Sequence, residues 1–109
     1  MANILHITTR PDWQAALEAG EYRAASLDSE GFIHCSTAEQ IAATANRFYA
    51  GQSGLLLLHI DPQLLAAEVR WEPADGQEFP HIYGPLNPDA VVDVEVLEPD
   101  KHGVFRYGD

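Results

Sequence analysis

The sequence predicts an α+β fold, a mostly antiparallel or mixed β-sheet carrying two early helices. Three observations point there. Two stretches place apolar residues at helical spacing in the first half, and five or six short segments along the chain run apolar or alternate like strands. The two kinds do not interleave as the strand–helix–strand units of a parallel sheet would. With 109 residues, 46% of them hydrophobic and 21% charged, the chain is expected to fold as one domain (1–109). At this length folding removes roughly 65% of the unfolded surface from water.

Ile4 to Thr8 reads as the first strand. Thr9-Arg10-Pro11-Asp12 then places proline in a first helical turn, and Trp13, Ala16 and Leu17 continue a short helix that stops at Gly20. After a loop, Gly31 to Cys35 reads as a second strand. It runs into Ser36-Thr37-Ala38-Glu39, a capping-box pattern in which Ser36 accepts the N3 amide and Glu39 reaches back. Ile41, Ala45, Phe48 and Tyr49 form one apolar helical face that Gly51 ends. The run of leucines from Leu55 to Leu58, leading to Ile60, reads as a strand buried on both faces. Val69 to Glu72 alternates, Phe79 to Tyr83 is a further strand broken by Gly84-Pro85, and Val91 to Leu97 carries Asp93 and Glu95 on one half-exposed face. His102 to Tyr107 is expected as a last edge strand, within an extension spanning 98–109.

Six Lys and Arg against seventeen Asp and Glu leave a net charge of −11 and a pI near 4.6. Such a field repels a phosphate backbone, which excludes nonspecific nucleic-acid binding as the main activity, and it equally disfavours an anionic membrane surface. An uninterrupted apolar run such as Leu55 to Leu58 falls far short of the roughly 20 residues that span a bilayer. The start, Met1 to His6, has neither a basic segment nor a signal-type apolar stretch, and the single Cys35 fits a reducing compartment. A cytoplasmic location is expected. No feature of the sequence sets an oligomeric state.

Chemistry-bearing residues are few. His6 and Thr8 share one face of the first strand, with Leu5 and Ile7 on the other; His34 and Ser36 share a face opposite Cys35. Adjacent strand residues point apart, so a Cys35–His34 nucleophile pair is disfavoured and Cys35 reads as a small buried hydrophobe. Ser36 is a helix cap, with or without a ligand contact. His34, at a strand end before a helix N-terminus, either meets an anionic ligand or is a core histidine satisfied by a backbone carbonyl. Glu78-Phe79-Pro80-His81-Ile82-Tyr83-Gly84-Pro85-Leu86 is a conformationally restricted segment with His81 and Tyr83 on one side. It is either a ligand-binding segment or a structural turn with Phe79 and Tyr83 in the core. No His or Cys spacing supports a metal site at His6, His34 and His81, and no Walker loop, nucleophile elbow or dinucleotide fingerprint is present.

Taken together, Ile4-Leu5-His6-Ile7-Thr8, Trp13…Ala16…Gly20-x-Tyr22, Glu30-Gly31-Phe32-Ile33-His34-Cys35-Ser36-Thr37…Gln40 and Phe79-Pro80-His81-Ile82-Tyr83-Gly84-Pro85-Leu86 resemble a small bacterial and plant family labelled domain of unknown function nine-five-two. The resemblance covers residues 3–97. That family is similar in fold to the ADP-ribosyltransferases and the NAD-dependent RNA 2′-phosphotransferases, which implies a split sheet around a nicotinamide-dinucleotide cleft. By that resemblance His6 and Thr8 match the transferases' His-Gly-Thr element, with Ile7 in place of its glycine, and His34 and Ser36 fall where a side chain faces the nicotinamide. Where those enzymes carry a glutamate, His81 or Tyr83 stands here.

The resulting expectation is an enzyme acting on NAD or another nucleotide or phosphate-bearing metabolite. The alternative is a noncatalytic ligand-binding or regulatory domain on the same fold. In the first case His6 positions a ribose or phosphate and His34 or His81 is the acid–base, while the Ser36–Thr37 amides take an anion. Thr8, Ser36, Thr37, Tyr83 and Tyr22 are the candidate ligand contacts. If the three histidines form one site, His34 and His81 should share a cavity with Ser36 and Tyr83, with the two rings within about 12 Å of each other.

Overall fold

The structure is a computed structural model that describes residues 2–107. In chain order its elements are β1 (Ile4–Thr9), α1 (Arg10–Ala19), α2 (Ala25–Ser29), β2 (Ile33–His34), α3 (Ile41–Phe48), β3 (Leu55–Ile60), β4 (Glu68–Ala74), β5 (Gln77–Tyr83) and β6 (Val91–Leu97). Single 3₁₀ turns at Pro62–Leu64 and Pro88–Ala90 precede β4 and β6. The strands form two three-stranded antiparallel sheets, ordered β1-β3-β6 and β2-β5-β4. Among the described residues there is no helix long and apolar enough to cross a membrane.

The central strand β3 explains how the first sheet is held. Leu55 and Leu57 turn to one face, where Leu5, Ile7 and Leu97 meet Ile41 and Ala45 of α3 and the ring of Phe105. Leu58 and Ile60 turn to the other, where Ile4 meets Ala16 of α1 and Ile33, Ile82 and Leu86. Burial on both faces is what a run of four leucines dictates. β6 departs from expectation. Val92, Val94 and Val96 are 50%, 38% and 53% exposed, so its valine side faces solvent, while Leu97 on the side that carries Asp93 and Glu95 is buried in the core.

The strand expected over Gly31 to Cys35 contracts to Ile33–His34 because the chain changes sheets there. Cys35 N–H still donates to the Pro80 carbonyl on β5 (3.0 Å), but Ser36 exchanges both backbone hydrogen bonds with Leu5 of β1 at 2.8 Å each. That exchange joins the two sheets. The loop before it contains a third helix, α2, which the sequence reading passed over; Ser26 Oγ donates to the Phe32 carbonyl (2.7 Å) to close it against the following turn.

Helix α1 follows its sequence signals, with Thr9 Oγ1 accepting from Asp12 N–H (3.3 Å) and Gly20 adopting φ 82° while its N–H donates to the Ala16 carbonyl. The capping box before α3 is displaced by one residue. Gln40 N–H donates to Thr37 Oγ1 (3.2 Å) and the Gln40 side-chain oxygen accepts from Thr37 N–H (3.0 Å), so Thr37 and Gln40 make the reciprocal pair. Ser36 Oγ instead meets Thr44 Oγ1 at 3.2 Å. The last expected strand is absent. Residues 104–107 cross as irregular chain, with Phe105 buried and both of its backbone groups bonded by the Asn46 side chain at 2.8 and 3.0 Å.

Candidate functional site

Between the two sheets and α3 lies a cleft of about 980 Å³, within the range of small-molecule sites. Of the eight candidate residues, His6, Thr8, Tyr22, His34, Ser36 and His81 line it, whereas Thr37 and Tyr83 do not. The antiparallel register of β2 on β5 makes His34 and His81 direct cross-strand partners, so their side chains rise from the same face. Their ring centroids are 5.2 Å apart with planes inclined at 74°. Phe32, on the same side two residues before His34, stacks on His81 at 4.1 Å and 12° and meets the His34 ring edgewise at 4.8 Å.

Each imidazole is tied to a carboxylate. Glu72 Oε1 lies 2.8 Å from His81 Nδ1 and also accepts the Tyr83 hydroxyl hydrogen. The Tyr83 and His81 bonds hold Glu72 below the usual carboxylate range, and the same contact pushes the Tyr83 phenol up. Nδ1 of His81 is thereby committed, and Nε2 is the ring nitrogen left for a ligand. His34 Nε2 sits 2.9 Å from Glu30 Oε2 in a more open position. The arrangement is two carboxylate-bound imidazoles close enough to serve one substrate, one buried and one solvent-facing, and is suited to taking a proton at one atom and returning it at another.

His6 is in the cleft wall but engaged within the protein. The His34 carbonyl can only accept, so His6 Nδ1 carries the proton and donates to it (2.6 Å), leaving Nε2 as the acceptor toward the Tyr22 hydroxyl at 2.8 Å. The Tyr22 and Thr8 hydroxyls share a further hydrogen bond at 3.0 Å. Burial pulls the His6 pKa down to about 4, against a smaller raising effect of the His34 carbonyl, and pushes Tyr22 up to about 12. With both ring nitrogens occupied, His6 supports the backbone that presents His34 and has no free atom for a ribose or phosphate. The anion site expected at Ser36–Thr37 is likewise closed, because Gln40 already accepts the Thr37 amide hydrogen. Cys35 is fully buried with its thiol pushed up by that burial, which removes it as a nucleophile.

Glu30, Phe32 and Glu72 complete the site and were not singled out from the sequence. For Glu72 a signal was present. Asp75-Gly76 is a two-residue hairpin turn, both residues having positive φ (51° and 78°). Counting outward from it pairs Ala74 with Gln77, Glu72 with Phe79 and Arg70 with His81, which sets Glu72 diagonal to His81. Among the described residues no group of three His, Cys, Asp or Glu side chains is disposed to hold a metal ion.

Comparison with known proteins bears on the fold and on this site's setting. A family model described as protein of unknown function (DUF952) matches residues 7–94. The crystal structure of protein CC0527 from Caulobacter crescentus is similar at a TM-score of 0.87 and 35% identity, over 95% of this chain and 93% of that one. Its solution structure gives 0.82 and 36%, over 95% and 91%. Among curated proteins there is no match.

Proposed function

We propose the following for this chain, which belongs to the DUF952 family: it is a small-molecule enzyme that acts on NAD or another nucleotide or phosphate-bearing metabolite, with His34 and His81 as its acid–base pair. The observation that carries the reading is the cross-strand pairing of the two imidazoles, each bonded to its own glutamate, beside an aromatic ring in a ligand-sized cleft. His81, oriented by Glu72, handles the proton at the buried end of the reacting group, and His34 serves the solvent side. Phe32 supplies an apolar wall for a planar base. NAD enters this scheme as a substrate. The split pair of antiparallel sheets with the cleft between them supports the finer reading of an ADP-ribosyltransferase-like fold, in which the cleft would receive the nucleoside end. The buried Cys35 and the acidic surface accord with a cytoplasmic protein and with a substrate other than nucleic acid.

A second reading, a noncatalytic binding or regulatory domain, draws on the His6–Tyr22–Thr8 network, which turns three polar side chains of the cleft wall to structural use. One experiment separates the two. NAD, ADP-ribose, ADP and adenosine are tested for thermal stabilisation, where a ligand at a hundred times its Kd adds about 2.7 kcal/mol, and the stabilising compounds are then assayed for turnover. The enzyme reading expects turnover that His81→Asn lowers by roughly 10²–10⁴-fold with binding retained. Binding with no turnover selects the second reading, and no stabilisation by any of the four overturns both.

A further inference from the structure

A phosphate-bearing ligand in this cleft faces an electrostatic problem. Among the described residues lining it, Asp12, Glu30 and Asp75 are acidic, and beside the histidines Arg47 is the one Lys or Arg, in a chain of net charge −11. Of the other arginines, Arg23 pairs with Glu21 and Asp28, Arg70 with Glu68 and Arg106 with Asp100, while Arg10 has no carboxylate partner among the described residues and does not line the cleft. Arg47 stands in the last turn of α3, its guanidinium 5.0 Å from the ring centroid of Phe48, which is 63% exposed. Its carboxylate partner is Asp75, at the tip of the β4–β5 hairpin.

We propose that Arg47 is the phosphate-receiving residue of the cleft and that Asp75 fills its place there until an anionic ligand arrives. The inference rests on the reading above, that a nucleotide-type ligand binds between the sheets. Three observations support it. Gln77, Phe79 and His81 alternate along one face of β5, so the histidine pair and the hairpin tip belong to a single elongated surface. A two-part ligand can therefore lie with its ring near Phe32 and His81 and its phosphate toward Arg47. The Arg47–Asp75 pair is more than half exposed on both sides, and such pairs are weakly held, while the planar guanidinium fork matches two phosphate oxygens better than a lone carboxylate at a hairpin tip. Finally, the hairpin does not depend on Asp75 for its attachment to α3, because the Gln40 side-chain amide donates to the Glu78 carbonyl (2.8 Å) and to Gln77 Oε1 (3.2 Å). Asp75 can be displaced without loosening the cleft.

Dissociation constants of adenosine, ADP and inorganic pyrophosphate, measured by calorimetry on the parent, Arg47→Gln and Asp75→Asn proteins, test the assignment. Arg47→Gln is expected to weaken ADP and pyrophosphate by about tenfold or more, the loss of one charge-assisted contact, while adenosine stays within about twofold. Asp75→Asn is expected to tighten ADP and pyrophosphate, again without effect on adenosine. Adenosine binding that survives while ADP is indifferent to Arg47, or Asp75→Asn weakening ADP as much as Arg47→Gln does, overturns the role of Arg47 and leaves the nucleotide reading standing. Failure of all three probes to bind the parent overturns the role of Arg47, and failure of NAD and ADP-ribose as well overturns the nucleotide reading with it.

Discussion

His6 engages both ring nitrogens inside the protein, and burial sets its pKa at about 4 against an ordinary 6.5. Between those two values the unfolded chain binds a proton at this position and the folded chain does not, so stability rises with pH across that window. The contribution is complete above pH 6.5 and is lost as pH falls through 4. Integrated over the window it amounts to about 3 kcal/mol. Urea denaturation of the parent at pH 7 and pH 4.5 should show this loss, and the loss should shrink in His6→Gln; an equal loss in both proteins would remove His6 as its source. At this scale the sequence was informative about direction and silent about partners. Strand parity alone put His34 and Ser36 opposite Cys35, and His81 beside Tyr83. It could not show that the His34 carbonyl would accept a hydrogen bond from His6 Nδ1, since 28 residues separate them.

Helix α3 shows how a local signal can be right in kind and off in place. Ser36-Thr37-Ala38-Glu39-Gln40 contains two overlapping capping boxes, one led by Ser36 and one by Thr37. Propensity does not separate them, because Ser and Thr with Glu or Gln three residues on are equivalent patterns. What decides is the bridge from Ser36 to Leu5, which ties Ser36 into the sheet and leaves Thr37 to begin the helical turn. Thr37→Ala should therefore destabilise the fold by about 1 kcal/mol, read as a lower denaturation midpoint at unchanged slope. A Thr37→Ala protein as stable as the parent would return the cap to Ser36. The two strands of the β4–β5 hairpin were read separately, at 69–72 and 79–83, although Asp75-Gly76 between them is the turn signal that joins them; the short β2 carried no such signal, since its length is set by where the chain leaves one sheet for the other.

For the molecule as a whole, the class of fold followed from the order and period of the segments, but the division into two sheets did not. β1 pairs with β3, and β3 with β6, across loops that no local pattern specifies. The tail was misread for a related reason. Phe105 lies where an edge strand was expected, yet it fills the core beside Leu5, Ile7 and Leu57 and is gripped by Asn46. Phe105→Ala should cost about 3–5 kcal/mol, a large share of the roughly 5–15 kcal/mol typical of a domain; a loss under about 1 kcal/mol in chemical denaturation would make the tail an accessory. The same arrangement governs how the protein is born. Translation proceeds at roughly 5–20 residues per second, and β3 emerges flanked on one side only, with β6 and Phe105 still to be synthesised. For seconds the nascent chain carries Leu55 to Leu58 with neither β6 nor Phe105 yet made to cover them.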